Sequence, residues 1–125
     1  MNLNSGGDVA SGCVFCMIAA GEIPAEIVYE DEALIAFRDV HPQAPVHVLL
    51  VPREHVASLA DLDPARIDLA GRLLTAVPSV VAAIGGLDGG FRVIANTGAD
   101  AGQTVSHLHL HILGGRALGE GLIAG

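Results

Sequence analysis

Basic side chains and aromatic rings are scarce in this chain. Fourteen acidic residues outnumber six basic ones over 125 residues, and the net charge is −8. Gripping a nucleic-acid backbone takes clustered Lys and Arg, and nothing here forms a basic stripe. Tryptophan is absent, and Phe15, Tyr29, Phe37 and Phe91 are the only aromatic residues. A nucleic-acid polymer is therefore not an expected partner. A small anionic ligand stays open, because backbone amides and imidazoles hold such a ligand locally, whatever the net charge. Cysteine is limited to Cys13 and Cys16, one C-x-x-C pair. Residues 1–12 are polar and glycine-rich, without a charged start or a long apolar stretch. They read as a flexible tail, neither a signal peptide nor a membrane span. The expected location is the cytoplasm, with no membrane partner. In that reducing compartment the C-x-x-C points to metal or redox use over a structural disulfide.

Apolar residues are plentiful, at 51% of the chain, enough for one core and a single domain over residues 13–125. Residues 14–20 have the length of one or two helical turns. Residues 27–30 and 34–38 read as strands joined at Asp31-Glu32, a hairpin. Pro42 and Pro45 keep residues 39–45 irregular and lead into an apolar strand over 46–51, ended by Pro52. Asp61 and Asp63-Pro64 resemble a helix start. Ile67, Ala70, Leu74, Val77, Val81 and Ile84 follow as an amphipathic stripe, with Pro78 expected to kink or divide the helix and Gly85-Gly86 to close it. Residues 91–95 are a further strand and 96–104 a glycine-rich loop. The order predicts an α+β fold: an antiparallel sheet with one long helix and a short N-terminal helix.

Three histidines then alternate with branched aliphatics: His107-Leu108-His109-Leu110-His111-Ile112. On a strand, alternate residues share a face about 6.6 Å apart, so three imidazoles line one surface while Leu108, Leu110 and Ile112 enter a core. Neutral histidine is a competent nucleophile toward phosphorus, one ring nitrogen attacking while the other keeps a pinned proton. His109, in the middle, is best placed. Gly98 and Gly102 in the preceding loop permit left-handed backbone, so amides there could form an anion cradle. A rival chemistry uses the same spacing: two strand histidines and a third, such as His47, around catalytic zinc. Cys13 and Cys16 are half of a tetrahedral zinc site, and His55 or His107 could complete it.

The alternating motif resembles the signature of the histidine triad superfamily. Asp39-Val40-His41-Pro42-Gln43-Ala44-Pro45-Val46-His47, Val51-Pro52-Arg53-Glu54-His55, Asn96-x-Gly98, Gly102-Gln103-Thr104 and Leu113-Gly114-Gly115-Arg116 resemble its nucleotide-binding HINT branch in order and spacing. The resemblance spans roughly residues 13–116 and implies a homodimer with a purine nucleotide site. It implies His109 as nucleophile, with His111, the amides near Gly102, Gln103 and Thr104, and Asn96 around the phosphate. It implies Asp39, with Val40 beside it, at the ribose hydroxyls, and Phe15, Ile18, Ile23, Phe37 and Leu49 as walls around the base. The Thr104 hydroxyl would assist the leaving group, and His47 would support the triad from behind. Bacterial-type members with paired cysteines resemble zinc proteins, which implies Cys13, Cys16, His55 and His107 as a closed, structural zinc site with no organic cofactor. Residues 117–125 depart from the pattern, lacking the aromatic and proline residues that some HINT members place near the leaving group.

The expected activity is hydrolysis of purine nucleoside 5′-phosphoramidates or related AMP-linked substrates through a nucleotidyl-histidine intermediate. Two alternatives accompany it: hydrolysis or phosphorolysis of dinucleoside polyphosphates, and a nucleotide-binding regulatory dimer with incidental turnover.

Overall fold

The computed structural model describes residues 12–121. Most of the expected tail, residues 1–11, lies outside them. A short helix α1 (Val14–Ala19) precedes strands β1 (Ile27–Glu30), β2 (Leu34–Arg38) and β3 (Val46–Pro52). Two single turns, Leu59–Asp61 and Pro64–Arg66, lead into the long helix α2 (Ile67–Ile84), followed by β4 (Phe91–Ile94) and β5 (Leu110–Gly114). The sheet order is β1-β2-β3-β5-β4, with every neighbouring pair antiparallel. This is the α+β arrangement expected.

Side-chain alternation divides the interior into two cores. Leu34 and Ala36 of β2, Val48 and Leu50 of β3, and Leu110 and Ile112 of β5 pack on one face against α2. Ile35, Phe37, Leu49 and Val51 form the other face and meet Phe15 and Cys16 of α1. Strands β2 and β3 are therefore buried on both sides, which explains their unbroken apolar runs.

Three expectations change in detail. The histidine strand begins at Leu110, not His107. Pairing with β3 stops at Leu50↔Leu110, because Pro52 has no N–H to offer and its carbonyl is taken by the His107 imidazole. Alternation survives outside the strand, since Leu108 is still buried with Leu110 and Ile112. Helix α2 buries Leu73, Ala76, Val77 and Val80, whereas Ile67 and Leu74 of the expected stripe are 72% and 65% exposed. This helix is apolar around most of its circumference, so gaps of three and four fit more than one stripe and packing makes the choice. By length and hydropathy residues 64–84 would also cross a bilayer, but here one face lies on the sheet. Pro78 sits on the exposed side and does not divide the helix.

Candidate active site

Register sets the geography of the face opposite α2. Phe37, Leu49, His111 and Ile94 stand in one row across β2, β3, β5 and β4, and His47, Leu113 and Arg92 form the next. Phe15 of α1 completes the apolar end, edge-on to Phe37 with centroids 5.3 Å apart and to His109 at 5.1 Å. Ile18 packs on the same cluster. Ile23, half-buried between α1 and β1, stands outside that cluster among the described residues.

Backbone groups fix the protons on these imidazoles. Only acceptance is open to a carbonyl, so His109 Nδ1, 2.6 Å from the His107 carbonyl, carries the hydrogen and leaves Nε2 with a lone pair. A second chain starts from the Gln43 amide, which donates to His47 Nδ1 at 3.0 Å. His47 must then hold its proton on Nε2 and donates it to His111 Nδ1 at 2.9 Å, with Asp39 Oδ2 more distant at 3.4 Å. The free proton of His111 therefore sits on Nε2. Burial, helped by His109 and His47 and opposed by Asp39, holds His111 at about 4. Burial also pushes His47 down, against Asp39, so both rings are neutral near pH 7 and the 3.4 Å Asp39 contact is not an ion pair. The His109 and His111 ring centroids are 5.0 Å apart. A bare nitrogen thus stands beside a ring N–H donor.

Asp39, His47 and His111 cluster closely enough to suggest a metal site. The Gln43 amide argues against one, because it keeps the His47 lone pair on the nitrogen facing away from the cluster. The other cluster fits a metal well. Cys13 Sγ lies 3.2 Å from His107 Nδ1, and Cys16 Sγ lies 3.3 Å from His55 Nδ1 and 3.5 Å from His107 Nδ1. His107 donates from Nε2 to the Pro52 carbonyl at 2.8 Å, which turns the Nδ1 lone pair toward the thiols. Two sulfurs and two ring nitrogens within 4.8 Å of one another are a tetrahedral donor set. The C-x-x-C is thus paired with histidines 39 and more residues away in sequence.

The glycine-rich loop differs from the expected amide cradle. The Gly102 amide donates to Ala99 and the Gln103 amide to Gly98, at 3.0 and 3.1 Å. Gly102 adopts φ 83°, which closes this turn. The Gln103 side chain accepts from the Gly98 amide and donates to the Ala57 and Val105 carbonyls, bracing the loop. The amides of Thr104, Val105 and Ser106 have no such partner among the described residues. Thr104 is exposed and lines a cavity of about 390 Å³ beside Cys13 and His55. Asp39 Oδ1 accepts from the His41 amide at 2.8 Å, an Asx turn that orients the carboxylate, while Val40 is 84% exposed.

A larger cavity of about 450 Å³ opens beside His111 and Asn96, and Arg92 and Arg116 line it. Sequence reasoning passed over Arg92 and the Gln43 amide, and quoted Arg116 in a motif without giving it a role. Strand alternation could have found Arg92, two residues before Ile94; the Gln43 amide carries no sequence signal.

The HIT domain model matches residues 20–118. The purine nucleoside phosphoramidase of Escherichia coli K12 is 39% identical over 111 residues, 89% of this chain and 93% of that protein. A 14 kDa zinc-binding protein of Brassica juncea is 44% identical over 107 residues, 84% of this chain and 94% of that one. Among solved structures, a HIT family hydrolase from Clostridium thermocellum superposes with a TM-score of 0.87 at 41% identity, covering 91% of this chain and 99% of that one.

Proposed function

The chain belongs to the HIT domain family, and from that premise we propose that it hydrolyses purine nucleoside 5′-phosphoramidates or related adenylates through a nucleotidyl-histidine intermediate on His109. A hydrolase is what the family and its phosphoramidase relative support. The observation carrying the finer reading is the 2.6 Å bond from His109 Nδ1 to the His107 carbonyl, which places the ring hydrogen on Nδ1 and leaves the Nε2 lone pair to face substrate.

In this reading Nε2 attacks phosphorus and the P–N bond to the leaving amine breaks. The amine departs with a proton relayed from solvent by the Thr104 hydroxyl. His111 donates from Nε2 to a phosphate oxygen, its tautomer held by His47 and the Gln43 amide. Water then attacks phosphorus, the bond to His109 breaks, and the nucleoside monophosphate leaves. Asn96 and the Thr104 amide face the phosphate, Gly102 and Gln103 shape the loop that presents them, and Asp39 accepts from the ribose hydroxyls with Val40 beside it. Phe15, Ile18, Ile23, Phe37 and Leu49 wall the base.

Cys13, Cys16, His55 and His107 would hold zinc, which would supply structural closure, since four protein ligands leave no open position. We further assign a cytoplasmic homodimer joined through α2 and the free edge of β4.

Steady-state hydrolysis of adenosine 5′-phosphoramidate by wild type and His109→Ala, each with and without a strong chelator, tests this. Turnover in wild type should fall at least about 10³-fold in the variant, the scale of losing a nucleophile. Chelation should lower Tm by about 10 °C or more while the fraction still folded keeps its turnover. Turnover of a dinucleoside polyphosphate but not of the phosphoramidate would move the assignment to the first alternative. Normal AMP binding without turnover of either would move it to a regulatory binder.

A further inference from the structure

Arg38, Arg53, Arg66 and Arg72 each pair with a glutamate, Glu26, Glu30, Glu54 and Glu32 in turn. Arg92 and Arg116 have no carboxylate partner among the described residues, and they line the same cavity as His111. Their donors are met by carbonyls instead. Arg92 donates to Gly119, and Arg116 donates to Ala117 at 3.0 Å and Gln43 at 3.5 Å. A carbonyl satisfies a guanidinium N–H without cancelling its charge. In a chain of net charge −8, the two unneutralised cations therefore face one shared void. Asp100 is the acidic group on the same wall, and no ion pair joins it to either arginine.

Register gives this void a direction. The apolar wall of Phe37 and Leu49 lies on β2 and β3, His111 on β5, and Arg92 beyond it on β4. A nucleotide with its base on that wall and its phosphate at the histidines points its leaving group toward the arginines. This orientation rests on the function proposed above. We propose that Arg92 and Arg116 form a leaving-group subsite that selects, among nucleoside 5′-phosphoramidates, those whose departing amine carries a free carboxylate, as an N-linked amino acid does. Two cations and one aspartate leave a single net positive charge, which suits one carboxylate better than a polyphosphate. The chemistry is unchanged: the P–N bond breaks, the amino acid departs with its amine protonated, and its carboxylate takes no part.

The test compares kcat/KM for adenosine 5′-phosphoramidate N-linked to glycine with that for the glycinamide analogue, which differs by one negative charge. Unsubstituted phosphoramidate and a dinucleoside polyphosphate complete the set. Wild type should favour the carboxylate about tenfold, the scale of a charge-assisted hydrogen bond. Arg92→Gln and Arg116→Gln should bring that ratio toward one, and Arg116→Lys should retain part of it. Each ratio is taken within one preparation, so loss of folded protein cancels. A wild-type ratio near one, with the unsubstituted compound still hydrolysed, overturns the subsite and leaves the proposed function standing. A polyphosphate preferred over the glycine conjugate overturns the carboxylate assignment. No hydrolysis of any phosphoramidate overturns the function itself.

Discussion

At the scale of single residues, the site is a set of imidazoles whose protons are assigned by main-chain groups. The His107 carbonyl sets His109, and separately the Gln43 amide sets His47, which passes the assignment on to His111. Burial keeps the His47 and His111 rings neutral, and this has a measurable consequence. His111 titrates near 6.5 when unfolded and about 4 when folded, so between those values the unfolded chain binds more protons. The stability it contributes is full above pH 6.5 and is lost as pH falls toward 4. Urea midpoints measured from pH 7 to pH 4.5 should decline through this window, and more shallowly in His111→Asn. Equal slopes in the two proteins would contradict a buried neutral ring. Desolvation raises the Asp31 carboxylate, but the Ala33 and Leu34 amides, the Tyr29 hydroxyl and Arg72 together lower it, so it loses its contribution only at more acid pH.

Elements position these residues through close approaches that leave no room for side chains. Gly114 ends β5 where an added Cβ would lie 2.5 Å from Leu87 Cδ2 and 3.0 Å from the Gly90 carbonyl. Gly115 follows at φ 92°, with Pro45 Cβ 3.0 Å from its own Cβ position. The Leu113-Gly114-Gly115-Arg116 run thus turns the chain tightly and delivers Arg116 to the cavity. Gly114→Ala should cost about 1–3 kcal/mol by overpacking, read from chemical denaturation. A neutral outcome would mean that the loop holding Leu87 and Gly90 yields freely.

For the whole molecule, the apolar surface left uncovered bears on assembly. Ile67 and Leu74 on α2 and Phe91 and Val93 on β4 are 72%, 65%, 43% and 38% exposed. Among the described residues strand β4 pairs only with β5, so its outer edge offers backbone groups to a further strand. These features support the proposed homodimer. Sedimentation equilibrium should return twice the 12.7 kDa of one chain, and Val93→Lys should shift the species toward monomer. A wild-type monomer at micromolar concentration would remove that assignment.

The sequence by itself determined the element order, the α+β class and the family resemblance. These rest on local periodicity, proline punctuation and ordered motifs, which need no tertiary contact to be read. It also named the four metal-capable side chains through that resemblance. Tertiary structure decided which stripe of α2 is buried, because a helix apolar on several sides fits more than one. It ended the histidine pairing at Leu110, since the missing donor belongs to Pro52 on another strand. It drew the Gly102 and Gln103 amides into a turn, and it set the imidazole protons through carbonyls and amides that every residue type carries alike. Arg92 and Arg116, 24 positions apart in sequence, face one cavity because β4 and β5 pair. Only the paired strands bring those two charges together.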